Sequence, residues 1–138
     1  MIFDIDCVRA ILLELEDRLT VEINEDGEIS NNDIDPQELA EIFEGEHRRE
    51  AVYYALRKLG EADYINKCVY SHIDGTWEFS MINEISFAGH QFLEVIRPKS
   101  IWDKTRDVTK RVGSASVSFI AQVASGFLSD LAKGAFMP

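Results

Sequence analysis

The chain has 138 residues, of which 46% are hydrophobic, and a formal net charge of −11 at pH 7. This length predicts one domain plus an appendage. The composition allows a packed core and excludes wholesale disorder. Residues 1–96 hold 7 basic and 22 acidic residues (−15) and residues 97–138 hold 7 basic and 3 acidic residues (+4), so the body of the protein is expected to repel nucleic acid and anionic membranes.

The N-terminal part of the chain predicts a helix, a strand and a loop. Asp4 is a suitable N-cap for a helix with one apolar face, and Leu19 to Ile23 alternates apolar and polar residues as a short strand does. Residues 24–33 are polar and acidic, which predicts a solvated loop. Gly27 follows Asp26 directly, so the EF-hand calcium register does not fit and no metal site is predicted.

A helix-turn-helix is predicted next. Asp35, followed by a proline that suits the first helical position, can cap a short helix, and Glu38 completes a capping box. Gly45 is expected to end this helix. A second helix over residues 47–59 then buries an apolar face, with Gly60 as its C-terminal cap.

A β-hairpin completes this layout. Asp74-Gly75 is a hairpin turn signal between two apolar runs at residues 64–70 and 76–82. The order of elements predicts an α+β, mainly helical fold with a winged helix-turn-helix core. In that fold the second helix usually faces DNA, which conflicts with the acidic charge of the region.

Two further helices are predicted after the hairpin. Ser86 is expected to cap a helix that runs to about Arg97 and stops before a proline. A mixed-charge helix follows over residues 101–112, and Gly113-Ser114 is expected to break it.

Residues 98–138 are predicted to form a C-terminal helical extension of a winged-helix-like domain at residues 1–97. The last helix has one broad apolar face, so oligomerisation, docking on a partner and packing on its own domain are the alternatives. Membrane-surface binding is disfavoured because the polar face offers mainly serines instead of lysine and arginine. The residues predicted for oligomerisation or docking are Val117, Ile120, Val123, Phe127, Leu128 and Leu131.

The polar face of the second helix is the candidate binding face for a partner or for DNA. It consists of Arg49, Tyr53, Tyr54 and Arg57. Such side chains can reach base edges or phosphates from a recognition helix. Glu50 on the same face weakens phosphate binding, and a solvated or protein-binding face is the alternative interpretation.

No sequence pattern predicts an enzyme. The three histidines are dispersed, and phosphate loops, dinucleotide fingerprints and paired metal-ligand motifs do not occur, so no catalytic residue, cofactor or metal is predicted. Cys7 and Cys68 form no paired-cysteine motif, and two free thiols without a signal peptide predict a cytoplasmic protein. No apolar stretch reaches the roughly 18 residues of a membrane span.

A box in the second half of the chain carries a family resemblance. The sequence runs Ile85-Ser-Phe-Ala-Gly-His-Gln-Phe-Leu93, then Arg97, then Ile101-Trp102 and Lys104. It resembles the Leu-Thr-x-x-Gly-His-x-Phe-Leu box, the Arg and the hydrophobic-Trp-x-Lys run of a bacterial and prophage family of unknown function. Asp4-x-Asp6 with Val8-Arg9 is similar to the start of that family, and the resemblance covers about residues 4–112.

The chain departs from the family pattern at several positions. Ser86 stands where the family has Thr, Phe87 where it has Trp, and Asp63 where it has Gly, and Tyr54 stands where His is common. The resemblance implies a winged-helix-like fold and a phage or prophage context, and it implies no activity and no catalytic residues.

The box can be explained structurally without a ligand. Ser86 caps the helix and Gly89 is expected to allow close approach to the hairpin. His90 and Trp102 have no assigned role. For His90 we expect a buried, hydrogen-bonded side chain next to an aromatic ring.

The leading hypothesis is a non-enzymatic, acidic winged-helix module that binds a protein, encoded by a phage or prophage and directed at a basic surface of a host protein. The alternative is a dimeric DNA-binding transcription regulator that reads DNA with Arg49, Tyr53 and Arg57. A third class is an enzyme whose site is assembled in space around His90.

Overall fold

The computed structural model describes residues 3–112 and 116–136, which form six helices and two antiparallel two-stranded sheets. The fold is α+β and mainly helical, as predicted. The helices are α1 (Ile5–Arg18), α2 (Pro36–Ile42), α3 (Arg49–Glu61), α4 (Phe87–Ile96), α5 (Lys99–Val112) and α6 (Val117–Phe136). The strands are β1 (Val21–Ile23), β2 (Ile29–Asn31), β3 (Val69–Ser71) and β4 (Trp77–Phe79).

Helix α1 begins where the sequence predicts. The Asp4 carboxylate accepts hydrogen bonds from the backbone N–H groups of Asp6 and Cys7, so the N-cap prediction is confirmed. The apolar residues at helical spacing form its buried face. They are Cys7, Val8, Ile11, Leu12 and Leu15.

The loop predicted over residues 24–33 is wrong, because it contains strand β2. Strand β2 pairs with β1 in a hairpin, and Ile23 lies opposite Ile29. The Asn24 side chain closes the turn by accepting from the backbone N–H groups of Asp26 and Glu28, and Gly27 takes a positive φ of 79°. This local turn chemistry brings the two short strands together, although every residue of both is exposed.

Helix α2 starts at Pro36 with Asp35 as its N-cap, as predicted. The Asp35 carboxylate accepts from the N–H of Gln37 at 2.9 Å. The hydrogen bonds of the described residues do not include the capping-box contact expected from Glu38, so a single cap bond from Asp35 holds this end of the helix.

Helix α3 is displaced from the predicted 47–59. The backbone N–H of His47 donates to the carbonyl of Phe43, which closes a separate turn before the helix. At the other end Gly60 lies inside the helix and is buried, so the expected glycine cap is wrong. Asp63 instead takes the left-handed conformation, with a φ of 59°.

The end of α3 has the hydrogen bonds of a Schellman motif. The N–H of Tyr64 donates to the carbonyl of Leu59 at 3.0 Å, and the N–H of Asp63 donates to the carbonyl of Gly60 at 3.1 Å. Asp63 therefore occupies the position that usually holds glycine. This is the position at which the resembled family has Gly.

The β3–β4 hairpin is turned by Asp74 and Gly75, as predicted. The Asp74 carboxylate accepts from the backbone N–H of Thr76, and Gly75 has a φ of 89°. Isolated bridges from Ile65 to Ile85 and from Ile34 to Ile82 continue from this hairpin towards α4 and α2. The hairpin is thereby attached to the helical body.

The hydrophobic core is continuous across the boundary predicted after residue 97. Ser86 caps α4, which ends at Ile96 before Pro98, and α5 and α6 then pack against each other and against α4. The buried residues of the last two helices belong to the same cluster as those of α1 and α3. The break predicted at Gly113-Ser114 lies outside the described residues. Within the described ranges, no helix is long and apolar enough to cross a membrane.

Candidate functional site

One basic residue of the predicted binding face, Arg57, and its neighbour Lys58 are engaged within the protein. The Arg57 guanidinium lies 4.8 Å from the ring centroid of Trp77 in strand β4, and its Nε is 3.3 Å from a carboxylate oxygen of Glu61. Lys58 Nζ is 3.0 Å from the other oxygen of that carboxylate. The hydrogen bond from Lys58 is the main reason why the pKa of Glu61 lies below its usual value.

The tyrosines of this face also have partners. The Tyr53 ring lies 4.6 Å from the Phe79 ring, centroid to centroid, and the Lys58 ammonium lies 5.3 Å from the Tyr54 ring. The structure therefore brings Tyr53 and Arg57 together beneath strand β4. Arg49 stands apart from them, exposed in the first turn of α3.

Ser86 and Gly89 of the box hold the end of α3 against the start of α4. The Ser86 hydroxyl accepts from the N–H of Gly89, and the Ser86 N–H donates to the carbonyl of Tyr64 at 2.9 Å. A Cβ on Gly89 would lie 2.1 Å from that carbonyl oxygen. The approach expected at Gly89 is thus confirmed, and its target is the Schellman turn at the base of the hairpin.

Trp102 of the box is buried, with 3% of its surface exposed. Its indole N–H donates to the Asp6 carboxylate of α1 at 2.9 Å. Arg106 Nη1 lies 3.4 Å from the same carboxylate oxygen, and the Arg9 guanidinium lies 5.9 Å from the indole centroid. Trp102 therefore fixes α5 to α1.

A second pair of contacts joins α1 to the end of α4. Arg9 donates to the carbonyls of Ile96 and Arg97, at 3.0 and 2.7 Å, and so satisfies carbonyls that the helix end leaves free. Arg97 in turn donates two hydrogen bonds to the Glu16 carboxylate. These hydrogen bonds hold the pKa of Glu16 below its usual 4.5. Arg9, Arg97 and Trp102, which belong to the family resemblance, thus form contacts between helices, a role that spacing alone does not reveal.

His90 is exposed, so the expectation of a buried, hydrogen-bonded histidine is wrong. The buried positions of α4 are Gly89, Phe92, Leu93 and Ile96, and this spacing turns His90 to the opposite side. The histidine lines an open groove instead.

That groove was not predicted from the sequence. It encloses about 380 Å³ between the end of α1, the β1–β2 hairpin and the start of α4. Its lining includes Leu15, Leu19, Val21, Ile29 and His90. The turn residues Asn24 and Gly27 are the signal that the sequence offers, because they close the hairpin, whereas the polar stretch alone predicts a strand followed by a loop.

The hairpin beside the groove exposes three large aliphatic side chains. Val21, Ile23 and Ile29 are 71%, 69% and 70% exposed. The register places Val21 opposite Asn31 and Ile23 opposite Ile29, so all three aliphatic residues lie on one face of the hairpin. We call Val21, Ile23 and Ile29 the aliphatic face.

The predicted docking face of α6 is largely packed inside the protein. Val117 and Ile120 are buried, and Val123, Phe127 and Leu128 are half-buried. The Lys104 ammonium of α5 lies 5.8 Å from the Phe127 ring. Leu131, which is 55% exposed, is the predicted docking residue that remains most available to a partner.

Both thiols are buried and have raised pKa values. Burial raises the pKa of Cys7 to about 12, with a smaller contribution from Asp4, and burial alone raises that of Cys68 to about 11. Neither thiol is ionised at neutral pH. Among residues 3–112 and 116–136, no three His, Cys, Asp or Glu side chains are grouped as metal ligands.

The fold and these contacts define a mainly helical α+β protein with two hairpins. The chain belongs to the family described as hypothetical protein DUF2513, whose model matches residues 3–116. No curated protein and no solved structure gives a significant match to the chain.

Proposed function

We propose that the chain is a non-enzymatic winged-helix module that binds a protein with a basic surface. The observation that carries this proposal is that Trp77 and Phe79 of strand β4 lie against Arg57 and Tyr53, two of the four residues of the predicted binding face on α3. A recognition helix needs that face free to enter the major groove of DNA.

Charge supports the same choice of partner. Arg57 and Lys58 share the Glu61 carboxylate, which offsets one of their two positive charges. The surrounding residues 1–96 carry a formal charge of −15. This charge accelerates encounters with basic partners and slows encounters with phosphates.

The cellular setting completes the proposal. The resemblance described above supports a phage or prophage origin, and we take the partner to be a host protein in the cytoplasm. Self-association through α6 is a further part of the proposal. It is supported by the exposure of Leu131 at the open end of the apolar face.

The first test compares duplex DNA with protein partners. Binding of the full chain to a random duplex at low salt is expected to be weak or absent, because the phosphate charge opposes the acidic body. Tight, salt-sensitive binding that is lost in the Arg49→Ala, Arg57→Ala double variant would instead establish the DNA-binding regulator.

The second test is a pull-down from a bacterial host at low and high salt, read by mass spectrometry. The proposal predicts a partner with a basic surface that is retained at low salt and released at high salt. Retention that does not respond to salt would contradict the charge argument.

A further inference from the structure

We propose that the β1–β2 hairpin and its groove bind an extended basic segment of the partner protein, with apolar side chains at alternating positions. This inference rests on the proposed function and names the surface that performs it. It uses residues that had no assigned role in the sequence.

The aliphatic face is the first observation. Three side chains that are about seventy per cent exposed, Val21, Ile23 and Ile29, lie together on one side of a two-stranded ribbon. Single exposed apolar residues are ordinary, but a contiguous apolar patch on a sheet marks an interaction surface. An extended partner segment would present every second side chain to it.

The backbone of β1 is the second observation. The N–H of Asn24 donates to the carbonyl of Glu28, so this pair is a hydrogen-bonded pair of the ladder. Bonded and non-bonded pairs alternate in an antiparallel ladder. Val21 and Ile23 therefore sit at non-bonded positions, and their N–H and C=O groups point away from β2. Among the described residues only β2 pairs with β1, so this outer edge can add another strand.

Charge selects the occupant. Residues 20–35 contain six carboxylates and no Lys, Arg or His. A second copy of this hairpin would bring like charges together, and duplex DNA or an anionic membrane would also be repelled. A lysine- or arginine-rich segment would be attracted, while its alternate apolar residues contact the aliphatic face.

The groove provides room for an anchoring side chain. Leu15, Leu19 and Ile85 contribute apolar lining, and Glu16 and Glu84 contribute carboxylates to the same lining. The volume of about 380 Å³ is that of a small binding pocket. An aliphatic residue of the segment fits this lining, and a basic neighbour would face Glu84, because Glu16 is already paired with Arg97.

The experiment measures fluorescence anisotropy of short synthetic peptides with the full chain. The probe alternates lysine and valine, and the matched controls alternate lysine with serine and glutamate with valine. We expect the lysine–valine peptide to bind most tightly, and binding to weaken at least about tenfold between roughly 0.05 and 0.5 M NaCl. Equal binding of the lysine–serine peptide would overturn the role of the aliphatic face.

A double variant locates the binding. Ile23→Ser with Ile29→Ser removes two exposed apolar side chains, and affinity is expected to fall by at least about tenfold. The matched control is Ile73→Ser, because Ile73 is fully exposed near the turn of the other hairpin. Circular dichroism checks that each variant is folded. Unchanged affinity in the double variant would overturn the inference.

The failure of this inference is distinguishable from that of the proposed function. If wild type and double variant capture the same basic host protein equally well, the function stands and the hairpin is not its site. If the chain binds duplex DNA and captures no basic protein, the proposed function is contradicted, and the inference that rests on it is contradicted as well. A hairpin-dependent dimer in light scattering would replace the basic partner with a second copy and so overturn the inference.

Discussion

The two hairpins of this protein have strands of equal length, but one packs against a helix and the other exposes its apolar side chains to solvent. The β3–β4 hairpin lies against α3, where the Phe79 ring packs at a tilt on Tyr53 and Trp77 contacts the Arg57 guanidinium. The β1–β2 hairpin leaves Val21, Ile23 and Ile29 about seventy per cent exposed. The packing of Trp77 and Phe79 on α3 stabilises the fold. The aliphatic face of the β1–β2 hairpin stabilises little and is available to a partner. The difference separates a structural element from a candidate binding element.

The largest expected effect on stability comes from a substitution at the base of the β3–β4 hairpin. Gly89→Ala would place a Cβ 2.1 Å from the Tyr64 carbonyl oxygen and 2.7 Å from Ile85 Cγ2. We expect a loss of about 3 kcal/mol in the free energy of unfolding, measured by urea denaturation. The matched control is Gly126→Ala in α6, which meets no atom within 4 Å. An equal response of the two variants would contradict the close approach.

The next largest expected effect is a difference in stability between matched substitutions in the two hairpins. Phe79→Ser removes the ring that packs on Tyr53, and we expect it to lower the free energy of unfolding by about 1.5 kcal/mol. Ile29→Ser changes an exposed side chain, and we expect a change within about 0.5 kcal/mol. Chemical denaturation of both variants measures the difference. A loss at Ile29 as large as that at Phe79 would show that both hairpins are structural.

A substitution in the turn at the end of α3, beneath the β3–β4 hairpin, is expected to give a smaller change, a gain in the free energy of unfolding. Asp63 has a φ of 59°, a conformation in which glycine avoids the steric cost of a Cβ. Asp63→Gly is expected to raise the free energy of unfolding by about 0.5 kcal/mol after the extra freedom of glycine in the unfolded chain is included. Asp63→Ala is the control and should lose stability, since alanine tolerates this conformation less well than aspartate. Thermal unfolding compares the three proteins.

The smallest expected effect is a pH dependence beside the exposed hairpin. Hydrogen bonds from Arg97 hold the pKa of Glu16 below its usual 4.5. The contribution of Glu16 to stability is therefore fully present above that value and is lost as the pH falls through the lower, folded-state pKa. Because Glu16 is partly exposed, we expect the contribution to be at most about 1 kcal/mol.

Urea midpoints at neutral and acidic pH measure this dependence. Glu16→Gln should lose less stability than wild type on acidification, because it lacks the titrating carboxylate. Asp107→Asn, a change at an exposed carboxylate of α5, is the control and should follow wild type. If Glu16→Gln follows wild type as well, the pair with Arg97 does not contribute to acid sensitivity.

Local chemistry explains which elements the sequence predicted. The caps at Asp4 and Ser86 and the turn at Asp74-Gly75 depend on neighbouring residues, and all three were predicted correctly. Strand β2 was missed because three residues in a polar stretch are too few to show a period, and only their pairing with β1 makes them a strand.

Long-range contacts explain what was missed at the site. The partner of Trp102 is Asp6, which lies 96 positions away in the sequence. The engagement of Arg57 by Trp77 likewise depends on how the hairpin folds back on α3. The family resemblance singled out Trp102 without giving it a role, and helical spacing assigned Arg57 to a partner or to DNA, although its contacts lie within the chain.

The most direct test of the contrast between the hairpins is amide hydrogen exchange of the full chain with and without the lysine–valine peptide. We predict slower exchange in residues 20–31 on peptide binding and unchanged exchange in residues 69–79. Protection of residues 69–79, or of α6, with no change in residues 20–31 would contradict the assignment of the β1–β2 hairpin as the binding surface.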